Sequence, residues 1–191
     1  MSKLVEVRWH GRGGQGAVTA GKVLAEAALD AGLYFQAFPE YGPERMGAPI
    51  QAFTRISDHP VDLHCQIEEP DVVVVLDPTL LGTVKVTEGL KPDGILLVNT
   101  SASPAEIREQ LNLRTGRVFT VDASRIAIET LGREITNTPM LGALVKATGL
   151  FEVDAIVEQT RQRFAKKHMK ADIVEANVAA IRRAAEEVKE G

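Results

Sequence analysis

The chain has 191 residues, 45% hydrophobic and 25% charged, with a net charge of −4. That balance suits one globular domain spanning residues 1–191 and argues against nonspecific nucleic-acid binding; no apolar run approaches membrane length. A single cysteine, Cys65, excludes an internal disulfide and any all-cysteine iron–sulfur or zinc site made by this chain alone, and the absence of a leader-like N-terminus points to the cytoplasm.

The first predicted element is a strand over 3–9, "KLVEVRW", rich in β-branched and aromatic residues. "HGRGGQG" (10–16) follows as a loop, then a helix over 17–32 whose apolar spacing stops at Gly32. A second strand is expected over 33–38. Residues 39–49, rich in Pro, Gly and charge, form a loop, and 50–56 and 61–67 read as strands flanking Ser57-Asp58-His59-Pro60. "DVVVVLD" (71–77) has the continuous apolar character of a strand covered on both faces, and Asp77-Pro78 fits the N-cap and first position of a helix. "GILLVNT" (94–100) repeats the pattern before Ser103-Pro104-Ala105-Glu106, a capping box with proline at its first turn. "RVFTVDA" (117–123) is a further strand, leading to a short helix that stops at Gly132. From residue 138 the strands end, and 138–149, 154–166 and 172–190 all read as helices. The order implies a three-layer α/β fold, Rossmann-like, with a mainly parallel sheet, helices on both faces and a helical C-terminal wrap.

Gly11, Gly13 and Gly16 match the G-x-G-x-x-G spacing of dinucleotide-binding loops, and Gly14 is an additional glycine. Backbone N–H groups, the end of the following helix, Arg12 and Gln15 would face an anionic ligand or a partner protein. Glu40, 24 positions past Gly16 at the end of the second strand, would be the ribose ligand of an NAD site. A stand-alone NAD-binding enzyme is therefore one reading, although no hydride-transfer set accompanies it. A tight turn without a ligand is the plain alternative. Gly14 lies outside the pattern the turn needs, so a side chain there is expected to leave folding near-native. His10 borders the loop, either donating a hydrogen bond to it or standing as a strand-end histidine with no role, the plainer reading, and His64 and Cys65 read as a buried strand pair. No Walker lysine, G-x-S-x-G elbow or H-E-x-x-H is present.

Four blocks taken together, "HGRGGQGAVTAGKVLAEAA", "QAFPEYGPERMGAPIQAFTRI", "DVVVVLDPTLL" and "NTPMLGALVKATG", resemble the gamma subunit of the 2-oxoacid:ferredoxin oxidoreductases, most closely the pyruvate (pyruvate synthase) type. The resemblance runs in order along almost the whole chain. It implies a subunit inactive alone, within an enzyme that decarboxylates pyruvate oxidatively to acetyl-coenzyme A and reduces ferredoxin. Thiamine diphosphate with Mg2+ and the [4Fe–4S] clusters then belong to other subunits, a thiamine-binding and a ferredoxin-like one, and no cofactor to this chain alone. Related complexes act on branched-chain, aryl or 2-oxoglutarate substrates, so the 2-oxoacid stays open. On this reading Gly11–Gly16 face coenzyme A or a neighbouring subunit. Glu40, Tyr41, Glu44, Arg45 and Met46, in a loop too long to be an idle connector, form an interface.

Overall fold

The computed structural model describes residues 4–40, 46–63 and 65–191. Among them, seven strands join one sheet in the order β2-β3-β1-β4-β5-β6-β7. The strands β1 (Leu4–Arg12), β4 (Val72–Val75), β5 (Ile95–Asn99) and β6 (Arg117–Val121) run parallel at its centre. β2 (Tyr34–Pro39) and β3 (Pro49–Ser57) form an antiparallel flank, and β7 (Lys189–Glu190) closes the other edge against β6. Six helices accompany them: α1 (Ala17–Asp30), α2 (Pro104–Gln110), α3 (Ala123–Leu131), α4 (Asn137–Thr148), α5 (Val153–Lys166) and α6 (Ala171–Glu187).

Alternate residues of the central strands feed two apolar layers, as a sheet covered on both faces requires. Val7, Trp9, Val72, Val74, Leu97 and Phe119 pack under α1 and α3 to α6, while Val73, Val75, Leu96 and Val98 pack under α2 and a short 3-10 helix, Pro78–Gly82. The layers are thus unequal. α4 is buried along nearly its whole length, between the sheet and α6, so it is a core element and not the outer wrap expected for it.

The local signals hold. Asp77 caps the 3-10 helix by accepting from Thr79 N at 2.9 Å. Ser103 and Glu106 form the expected reciprocal box at the start of α2. Gly132 ends α3 in the left-handed conformation.

Three expectations fail, each for a non-local reason. β1 continues through His10, Gly11 and Arg12, because Gln51, Ile50 and Pro49 of β3 lie beside them; the loop is therefore only 13–16. Segment 61–67 is irregular where described. Its carbonyls are taken by side chains instead of a neighbouring strand: Gln36 donates to Val61 O at 2.9 Å, Arg55 to Leu63 O at 3.4 Å and to Gln66 O at 3.5 Å. Arg55 is itself 1% exposed and paired with Glu6 at 2.8 Å. The last helix stops at Glu187, and the residues after it pair with β6.

Candidate functional site

β1 leads into α1 on one face of the sheet, whereas β4, beside it, leads into the 3-10 helix on the other face. Their C-terminal ends diverge, and such a divergence is where open α/β sheets place binding crevices. The glycine loop and Asp77 both lie there.

The polar side chains of this crevice are turned on each other. Asp77 Oδ1 accepts from Thr79 N at 2.9 Å and Thr79 Oγ1 at 2.6 Å; Oδ2 accepts from Gln15 Nε2 at 2.9 Å and Arg12 Nε at 3.1 Å. Gln15 closes the ring by accepting from Arg12 N at 2.7 Å. Arg12 also donates to Thr79 Oγ1 at 2.8 Å and to Gly47 O at 3.0 Å. Burial acts to raise the pKa of Asp77, but the donors Thr79 and Gln15 and the Arg12 guanidinium outweigh it and hold the carboxyl below its ordinary value.

Backbone groups of the loop are also engaged. Gly13 N donates to Ala48 O at 2.9 Å, Gly13 O accepts from Gly47 N at 3.1 Å, and Gln15 N donates to Arg12 O at 3.0 Å. Gly14 (φ +98°) and Gly16 (φ +82°) lie in the left-handed region, so a side chain at Gly14 strains the backbone; the near-native folding expected for such a variant does not fit this conformation. Gly16 begins α1, and the Asn137 amide covers it so closely that a Cβ at Gly16 would lie 2.7 Å from Asn137 Nδ2. Outside the loop, the neighbour nearest Gly14 is Met46 Sδ, 3.9 Å from where a Cβ would sit; Met46 is 92% exposed.

Of the residues singled out in the sequence, Gly11 to Gly16 and Met46 come together, with Gly11 inside β1 against Leu76. Glu40 does not join them. β3 lies between β2 and β1, putting Glu40 two strands, about 10 Å, from β1. A ribose-binding acid needs the neighbouring strand, and Glu40 instead receives Gln66 Nε2 at 3.4 Å. Tyr41, Glu44 and Arg45 lie outside the described residues, as does His64; Cys65 is exposed and not in a strand. Asp77 and Thr79 are the site residues that sequence reasoning missed. The cap at Asp77 was visible, but its bonds to Arg12 and Gln15 depend on β1 and β4 becoming neighbours. No group of three His, Cys, Asp or Glu among the described residues can hold a metal ion, and none of their helices is long and apolar enough to cross a membrane.

His10 does not serve the loop. It is 2% exposed on β1, and its Nε2 accepts from Arg8 Nε at 3.2 Å, which requires that nitrogen to be unprotonated. Burial, and then the Arg8 charge, lower its pKa from 6.5 to about 3. The unfolded chain therefore binds the proton first as pH falls, and stability present above pH 6.5 is lost progressively down to about pH 3. Between pH 7 and pH 5 this amounts to about 2 kcal/mol. Urea titrations at the two pH values should show that loss, and His10→Gln should remove most of the difference.

The profile of the pyruvate ferredoxin/flavodoxin oxidoreductase family matches residues 6–187. The common gamma subunit of the pyruvate/ketoisovalerate oxidoreductases of Pyrococcus abyssi is 51% identical over 186 residues, covering 97% of this chain and 98% of that protein. Pyruvate synthase subunit PorC of Thermotoga maritima is 50% identical over 187 residues, covering 98% and 96%. The crystal structure of pyruvate oxidoreductase subunit PORC from the same organism superposes with a TM-score of 0.88 at 48% identity, covering 99% of each chain.

Proposed function

The chain belongs to the pyruvate ferredoxin/flavodoxin oxidoreductase family, and we propose that its glycine loop docks it, as the gamma subunit, onto the thiamine-bearing subunits of a pyruvate (2-oxoacid):ferredoxin oxidoreductase. The gamma, or PorC, identity is that of its relatives along nearly their whole length, and the chain is a subunit of such an oxidoreductase. The enzyme converts pyruvate and coenzyme A to acetyl-coenzyme A and CO2, with ferredoxin as electron acceptor. Thiamine diphosphate with Mg2+ and [4Fe–4S] clusters supply the carbanion and electron-transfer chemistry from the thiamine-binding and ferredoxin-like subunits. A single cysteine supports leaving the [4Fe–4S] clusters to other subunits. Residues 1–191 act as one domain, a reading supported by the seven strands of the described residues joining a single sheet. The complex is placed in the cytoplasm.

One observation carries the docking role: the outer surface of the loop is bare glycine and the exposed Met46, while Arg12 and Gln15 turn inward to Asp77. Asn137 over Gly16 leaves poor access for a phosphate at the start of α1, so this surface suits a packed protein partner better than the diphosphate of coenzyme A or NAD. Tyr41, Glu44 and Arg45, preceding Met46 in the chain, belong to the same interface, and Glu40, two strands away from β1, lies at its margin. A gamma subunit common to pyruvate and ketoisovalerate enzymes in Pyrococcus abyssi supports leaving substrate choice to the other chains.

The test is reconstitution. Titrating the chain into the remaining subunits and following pyruvate-dependent ferredoxin reduction gives a half-saturating concentration and a plateau. Met46→Asp should raise the first about tenfold or more, as expected for a charge at a docking anchor, and leave the plateau unchanged. An unchanged half-saturation would refute the docking role.

A further inference from the structure

Under the glycine loop lies a side chain the docking role does not by itself require. We propose that Asp77 is the positioning residue of the docking surface, presenting Met46 to the partner subunit through Arg12 and Gly47. This assignment rests on the docking reading above.

The physical chain is continuous. Asp77 ends the β4 side of the crevice and is 11% exposed at its side chain, against 31% for Arg12. Both of its oxygens are doubly engaged, by Thr79 on one side and by Arg12 and Gln15 on the other. With Nε fixed on Asp77, the planar guanidinium has one orientation, and Nη1 then reaches Gly47 O at 3.0 Å. Gly47 follows Met46 directly, and the segment is also tied to Gly13 through Gly13 O, Ala48 O and a bridge between Gly13 and Met46. Gln15 sets the other side of the loop, since its amide donates to Asp77 and its carbonyl accepts from Arg12 N. A carboxylate is needed at 77 because every one of these partners is a donor. An asparagine there must turn its own N–H2 toward at least one pair of donors, so the ring cannot close.

Asp77 also caps the 3-10 helix through Thr79, and a capping role alone would affect stability without reference to Arg12. A double-mutant cycle separates the two. In the reconstituted complex, Asp77→Asn should raise the half-saturating concentration of the chain about tenfold, and by less than about twofold when Arg12→Ala and Gln15→Ala are already present. Thr79→Val, which removes a hydroxyl contact to the same carboxylate, should shift assembly less than Asp77→Asn does. An equal shift in both backgrounds, or none in the native background, overturns the assignment. If Asp77→Asn lowers the folded fraction, circular dichroism on the free chain measures it, and the concentrations are corrected before comparison. Should Met46→Asp leave assembly unchanged, the docking reading falls and this assignment with it. Should Met46→Asp weaken assembly while the cycle shows no coupling, only the role of Asp77 falls.

Discussion

Replacing Arg8 by methionine should lower the unfolding free energy of the chain by about 4 kcal/mol, because buried acceptors left without donors cost ~1–3 kcal/mol each. Arg8 is 6% exposed on β1, and its guanidinium is wrapped by main-chain oxygens. It donates to Glu88 O at 2.5 Å, Val86 O at 3.1 Å, Glu68 O at 3.4 Å and Ile67 O at 3.5 Å, and to His10. The two shorter bonds alone account for most of the expected loss. Burial pulls the pKa of Arg8 down and the charge of Glu88 pulls it back, yet the group keeps its proton at any ordinary pH. Methionine fills similar volume without offering a donor, so two irregular segments, near 67 and near 87, lose their attachment to β1. Arg8→Lys keeps the charge but not the planar fork, and should recover only part of the loss. Urea midpoints for the three proteins, at constant slope, are the measurement; a methionine variant within about 1 kcal/mol of the native chain would contradict this account.

A second large effect is expected at Gly142, in the middle of α4. An added Cβ would lie 2.1 Å from Ile181 O and 2.8 Å from Ile181 C on α6, so the two helices approach backbone to backbone at this point. Gly142→Ala gains about 1 kcal/mol of helix propensity, but it forces α4 and α6 apart where both helices are buried. The net loss should be about 3 kcal/mol, typical of overpacking that backbone atoms cannot relieve. Gly82→Ala serves as the control. A Cβ there meets nothing within 4 Å, and the change should stay within about 0.5 kcal/mol. Thermal melts of both variants decide the matter, and equal melting temperatures would show that the contact yields.

The parts of this fold that were legible in the sequence are those whose causes are local. Four consecutive valines at 72–75 announce a strand covered on both faces, and Ser103 with Glu106 announces a helix start, because neighbours within a few residues supply the physics. What was hidden needed distant partners. Gly11 and Arg12 read as loop but are strand, since Ile50 and Pro49 arrive beside them. Residues 61–67 read as strand but are not, since Arg55 and Gln36 take their carbonyls. At the site, the glycines and Met46 were visible as types out of place in an ordinary connector. That Arg12 and Gln15 turn inward was not visible, because their acceptor lies more than 60 residues away. Glu40 stood slightly late for the ribose acid of an NAD site, and the insertion of β3 is what removes it from the loop.

That inserted strand also governs the timetable on which the protein is made. β1 and β2 are both synthesised before β3, yet neither pairs with the other, and β3 is the hydrogen-bonding partner of both. The first 48 residues therefore emerge from the ribosome with two strands and an apolar helix and no strand to receive them. At a synthesis rate of roughly 5–20 residues per second, β1 waits several seconds for the residues that shield the first of its two edges. During that interval Val7, Trp9 and the Ala- and Leu-rich face of α1 are open to any chaperone that binds extended apolar segments. The arrival of residues 49–57 gives each waiting strand its first partner in one step, while the second edge of β1 stays open until β4 follows.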